Sequence, residues 1–247
     1  LITDISQSEN LDYGTIHELA HQWWGVQAYG ARMQGRQMLN ETLAQYSTLM
    51  IYKAQFGDAF AGGVAQILHD NYLSRRADET GAEQPLIYTE DQGNISYNKG
   101  PLAFYAVQNL IGEDRVNQAL RSYLEKFRLK GAPFPTSRDV LNELRSVADE
   151  SHQDLITDLF EKIVLFEFQI GGVDVVDVDG GYALTIDVAA HKFEADEFGN
   201  EAERPCRVYV DIAVYSERVG EGEERAPAYL KSHLLETGLQ TVEFRMD

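Results

Sequence analysis

The sequence predicts an α+β multidomain chain, with a mostly helical region over residues 1–163 followed by a small antiparallel β-sandwich over residues 164–247. Two observations carry this expectation. Up to about residue 162 the apolar residues recur at spacings of three and four, the period of one helix face. From Phe166 they alternate with polar residues, the period of a half-buried strand. A hydrophobic fraction of 44% over 247 residues is enough to fill one large core or two modest ones.

The elements follow in order. Tyr13 to Tyr29 holds a helix-like run, Thr15-Ile16-His17-Glu18-Leu19-Ala20-His21-Gln22-Trp23-Trp24, with Gly25 and Gly30 as terminators and both tryptophans expected in the core. A second helix is expected from Arg36 to Phe56, because Met38, Leu39, Thr42, Leu43, Tyr46, Leu49 and Met50 share one face. Asp58 is placed to cap the next helix, which runs through Ile67, Leu68 and Tyr72. Residues 77–98 read as loop. Pro101 then suits the first turn of a helix over Leu102 to Leu110, and Gly112-Glu113-Asp114 opens another whose face is Val116, Leu120, Tyr123, Leu124 and Phe127. Beyond the breaker cluster Lys130 to Pro135, Thr136 and Ser137 cap the helix of Val140, Leu141, Leu144 and Val147, and Ser151 to Ile163 supplies the last helix. Strands are expected at Val173 to Val178, Tyr182 to Val188 and Val208 to Tyr215, the first two joined by the hairpin signal Asp179-Gly180-Gly181. The acidic stretches Glu194 to Glu203 and Glu217 to Glu224 read as solvated loops without the regular spacing of a calcium site.

Composition narrows the function. Lys plus Arg number 21 against 40 Asp plus Glu, a formal net charge of −19, so phosphate backbones and anionic membrane surfaces are repelled and no nucleic-acid partner is expected. Cys206 is the single cysteine, which leaves His and carboxylate as the ligands for any metal. There is no run of 18 apolar residues and no charged-then-apolar leader. The abrupt start at Leu1-Ile2-Thr3-Asp4 and the strand-like end at Phe244-Arg245-Met246-Asp247 suggest a soluble piece of a longer protein.

The chemistry is concentrated in His17-Glu18-Leu19-Ala20-His21. Two His at i and i+4 lie one turn apart on a helix face and can share a tetrahedral zinc. Glu18 lies beside them, where its carboxylate can take a proton from a metal-bound water, whose pKa zinc lowers to roughly 7, and pass it to a leaving amine. A catalytic zinc needs a third protein ligand and an open position, so one more His, Asp or Glu is required nearby. Glu41 qualifies, on the second helix and beyond a turn rich in glycine. His69, His152, His191 and His233 have no partner at ligand spacing.

His17 to Gly25, followed by Leu39-Asn40-Glu41, resembles the zinc signature of the aminopeptidase N family of gluzincins. The resemblance implies a thermolysin-like catalytic domain of which this chain holds the helical half, one Zn2+ per chain on His17, His21 and Glu41, and a peptide substrate. Ile95-Ser96-Tyr97-Asn98-Lys99-Gly100 resembles the family's Tyr-x-Lys-Gly segment and implies that Tyr97 stabilises the tetrahedral oxyanion; by its residue type alone Tyr97 is an ordinary amphipathic tyrosine.

Two departures bear on that family pattern. Nineteen residues separate His21 from Glu41, where the family commonly has eighteen, so register or turn geometry must absorb one more. Gln34 to Ser47 resembles a bacterial branch with the longer spacing, in which the peptidase is fused to transporter-permease-like membrane segments. That implies a membrane-embedded parent with this part outside the cytoplasm. The second departure is the missing Gly-x-Met-Glu-Asn motif, whose Glu grips the substrate's amino terminus; without it, positioning suffers and weak or no turnover is expected. The enzyme reading competes with a non-catalytic extracytoplasmic module that keeps zinc for structure and binds a partner or gates a transporter.

Overall fold

The computed structural model describes residues 13–76, 82–215 and 227–246. The chain divides into two compact units, residues 1–163 and 164–247, one helical and one of antiparallel strands, an α+β architecture.

In the helical unit α1 is Tyr13–Ala20, and a π turn, Met38–Thr42, leads directly into α2, Leu43–Phe56. Helix α3 is Asp58–Arg75. A 3-10 turn at Leu86–Tyr88 and a second π turn at Asn94–Lys99 precede α4, Gly100–Ile111. Then come α5, Glu113–Phe127, α6, Ser137–Val147, and, after a 3-10 turn at Glu150–His152, α7, Gln153–Glu161. Helix α2 is the centre of the unit and packs on α1, α3 and α4, with Leu43, Ala44, Tyr46, Leu49 and Tyr52 buried. Leu49 packs with Ala61, Val64 and Leu68 of α3. Burying each large aliphatic side chain contributes ~1.5–3 kcal/mol, so this seam fixes the helix that follows Glu41.

Several boundaries differ from the sequence reading, each for a local reason. Helix α1 stops at Ala20 instead of running to Trp24, because Gly25 adopts φ 94 and the chain folds back, with Trp24 bridging to Ala28. Asp58 opens α3 from its first turn, where its charge suits the helix dipole, and Gly57 holds the cap position. The predicted loop 77–98 contains the π turn of Tyr97, while residues 77–81 lie outside the described residues. Thr136 does cap α6: its N–H and hydroxyl donate to Asp139 Oδ2 at 2.7 and 2.9 Å. Ser137 instead points inward and donates to the Ile87 carbonyl at 2.7 Å. The last helix ends at Glu161, and Ile163 already belongs to a strand.

The second unit holds β1, Ile163–Val178, β2, Gly181–Ala195, β3, Glu201–Arg204, β4, Arg207–Val214, β5, Tyr229–Glu236, and β6, Gly238–Met246. Strands β1, β2, β3 and β6 form one sheet, β4 and β5 the other. The register Leu184↔Phe244 and Val188↔Gln240 pairs β2 with β6, and Val210↔His233 pairs β4 with β5. Leu184, Ile186, Val188 and Ala190 line one buried face of β2, and Tyr229 of β5 stacks on Phe244 of β6 at 3.8 Å between ring centroids. The expected loop Glu194 to Glu203 is shorter than predicted, because Glu201–Arg204 pairs with the end of β2 as β3. Glu217 to Glu224 lies outside the described residues. No helix among the described residues is long and apolar enough to cross a membrane.

Candidate metal centre

His17 lies in the last turn of α1 and His21 one residue past its end, their rings 4.6 Å apart at 86°. Glu41 comes from the π turn that opens the α2 segment. Its Oε2 lies 3.4 Å from His17 Nε2 and 3.4 Å from His21 Nε2, and the three ligand atoms fall within 4.8 Å of one another. Atoms that each sit ~2.0–2.2 Å from a tetrahedral zinc are separated by about 3.3–3.6 Å, so these distances suit the edges of such a site.

The tautomer agrees. The backbone carbonyl of Trp24 can only accept, so His21 Nδ1, 3.1 Å away, donates to it, which leaves Nε2 as the ring nitrogen that faces Glu41 and can ligate a metal. His17 is buried, and its Nδ1 has no hydrogen-bond partner among the described residues. The donor set of two imidazoles and one carboxylate therefore fits zinc.

Glu41 is also bonded by Tyr97, whose hydroxyl donates to Oε2 at 2.5 Å. Burial pulls the Glu41 carboxyl upward in pKa, but hydrogen bonds from His17 and Tyr97 and the nearby imidazole charges outweigh it and hold the group below the usual carboxylate range. The Tyr97 phenol is pushed well above its ordinary value, first by burial, then by its bond to Glu41 and the charges of Glu41 and Glu18. It therefore stays a neutral donor at neutral pH. Glu18 is exposed, on the open side of the cluster.

The π turn accounts for the long spacing. It is a one-residue expansion of a helix, found frequently at functional sites, and here it contains Glu41. The chain takes up its extra residue there while the carboxylate still reaches both imidazoles.

Trp24 is core, as expected, and its indole donates to Ser47 Oγ at 2.8 Å. Trp23 is exposed instead, because the early end of α1 turns it outward. His69 pairs with Asp70, His191 with Glu203 and His233 with Tyr229, and among the described residues none of them joins a metal-ligating cluster. The sequence reading missed the Trp24 carbonyl as the acceptor for His21, which no residue type announces. It also missed Glu83, buried beneath the Tyr97 turn and bonded to Tyr72, Arg76 and Lys99.

Residues 2–162 match the peptidase family M1 domain. The chain belongs to peptidase family M1. It is 30% identical over 122 residues to endoplasmic reticulum aminopeptidase 2 of Homo sapiens, an alignment covering 47% of this chain and 13% of the relative. To aminopeptidase M1-B of Oryza sativa subsp. japonica it is 25% identical over 165 residues, covering 64% of this chain and 18% of the relative. The chain thus spans less than a fifth of the length of these two relatives. Among solved structures, an M1 zinc metallopeptidase from Deinococcus radiodurans aligns with a TM-score of 0.48 and 23% identity, covering 62% of this chain and 33% of that one. In this M1 chain the matched residues end where the helical unit ends.

Proposed function

We propose that residues 1–163 are the metal-binding part of a zinc aminopeptidase catalytic domain, with His17, His21 and Glu41 as ligands, Glu18 as general base and Tyr97 as oxyanion donor. The observation that supports this most is the convergence of His17 Nε2, His21 Nε2 and Glu41 Oε2 at the spacing of a tetrahedral site. Zinc held there supplies Lewis acidity, acidifying a water and polarising the scissile carbonyl. Glu18 takes the proton of the attacking water and returns it to the departing amine, a role its exposure permits. Tyr97, kept protonated by its surroundings, donates to the oxygen on which negative charge develops.

The sequence contains no Gly-x-Met-Glu-Asn segment to grip a free amino terminus, so slow turnover of aminoacyl amides is expected from this chain. A bacterial, membrane-embedded parent with this part outside the cytoplasm is the accompanying proposal. Its support is the resemblance of Gln34 to Ser47 and the longer His21-to-Glu41 spacing.

Glu18→Gln tests the reading. It is expected to keep zinc, measured by atomic absorption, while hydrolysis of an aminoacyl amide drops by about 10²–10⁴-fold. Undiminished hydrolysis in the variant would remove Glu18 from the mechanism, and a wild-type chain that holds zinc without hydrolysing any peptide would favour a binding module.

A further inference from the structure

We propose that Thr42 and Gln45 are positioning residues that set the Tyr97 hydroxyl against Glu41, an inference that rests on the reading of Tyr97 as oxyanion donor. Tyr97 lies in the π turn Asn94–Lys99. Two carbonyls of that turn receive bonds from outside it: Thr42 Oγ1 donates to the Ser96 carbonyl at 2.8 Å, and Gln45 Nε2 donates to the Tyr97 carbonyl at 3.2 Å. Thr42 follows Glu41 in sequence and Gln45 stands one turn further along, both buried. The helix that carries the carboxylate therefore holds the turn that carries the phenol, and the 2.5 Å bond between them is set within one frame.

Ordinary satisfaction of buried polar groups does not require this arrangement. A threonine inside a helix readily bonds the carbonyl four residues back, as Thr48 does to Ala44 at 2.9 Å. Thr42 reaches across to a neighbouring element instead. The approach is close enough that Gly100 has no alternative: a Cβ there would lie 2.4 Å from Thr42 Oγ1 and 2.5 Å from Thr42 Cγ2. Three residues of the crossing thus serve one geometry, and two of them aim donors at the backbone of Tyr97 and its neighbour.

The test uses the whole chain with Thr42→Val, Gln45→Met and the conservative Thr42→Ser. Chelator competition is expected to give unchanged zinc affinity in all three. In 3-fluorotyrosine-labelled protein, with the Tyr97 resonance assigned through Tyr97→Phe, the 19F signal is expected to move in Thr42→Val and Gln45→Met and to return in Thr42→Ser. Where hydrolysis is measurable, kcat should fall by about 10–100-fold at unchanged KM, and fall no further when Thr42→Val is added to Tyr97→Phe. A Tyr97 resonance that stays put in both variants overturns the proposal, as does an equal loss of kcat with and without the Tyr97 hydroxyl. Should Thr42→Val fail to fold, Gln45→Met carries the same comparison. The fluorine signal is read without metal, so a failure of zinc binding in the parent chain is separable from a failure of this inference.

Discussion

Glu83 is surrounded by two permanent cations and a phenol, whereas Glu41 faces two imidazoles and a phenol. Both oxygens of Glu83 are used: Lys99 and Tyr72 donate to Oε1 at 3.1 and 2.8 Å, and Arg76 donates to Oε2 at 2.7 Å. Glu41 concentrates its bonds on Oε2, shared by His17, His21 and Tyr97. Both carboxyls are held below their ordinary pKa against the pull of burial. Neither withdrawal from water nor the direction of the shift, then, separates a structural carboxylate from a metal ligand. The partners do: Glu83 is neutralised from within the protein, while Glu41 faces imidazole nitrogens that can ligate a metal.

The sharpest way to break this comparison is Glu41→Gln. We expect zinc affinity to fall on the order of 100-fold or more and hydrolysis to vanish, with little change in the unfolding of the metal-free protein. Chelator competition and urea titration read the two halves of that statement. Glu83→Gln should show the reverse, because it leaves Lys99 and Arg76 buried without their counter-charge: a loss of about 3–5 kcal/mol in urea unfolding, with zinc stoichiometry retained. Zinc loss in Glu83→Gln at a concentration where the protein stays folded would erase the distinction.

Tyr97→Phe probes the group that touches Glu41 without belonging to the ligand set. Here kcat is expected to drop by about 10²–10³-fold while zinc remains bound. An unchanged kcat would leave Tyr97 as a packing residue.

The smallest expected effect is in pH dependence. Glu83 has a depressed folded pKa, so its contribution is present above the ordinary carboxylate range and is lost as pH falls through the folded value. Lys99, whose own pKa burial lowers, does not contribute in that acid window. Acid-side unfolding curves should therefore flatten in Glu83→Gln relative to the parent; identical pH slopes would mean that Glu83 is not the group being protonated.

The approach of His17 to His21 was legible in the sequence because a helix turns an i, i+4 spacing into proximity, and the two need only one turn to meet. Helix faces such as Val116, Leu120 and Tyr123, all buried, were legible for the same reason. Glu41 required a guess about which element packs beside α1, and its approach depends on a π turn that periodicity does not announce. The turn of Tyr97 was read as loop because Gln92-Gly93-Asn94 carries breaker residues, yet long-range bonds from Thr42 and Gln45 hold it helical. Glu83, the Trp24 carbonyl and the short strand Glu201–Arg204 were not legible, since each is defined by a tertiary neighbour and not by its own surroundings in the chain.

X-ray absorption at the zinc K edge of the zinc-loaded chain tests the central claim most directly. One zinc per chain is expected, with two imidazole nitrogens and a carboxylate oxygen at about 2.0–2.2 Å, and an imidazole signal that disappears in a His17→Ala, His21→Ala double variant. A first coordination sphere without imidazole, or one that the double variant leaves unaltered, would contradict it.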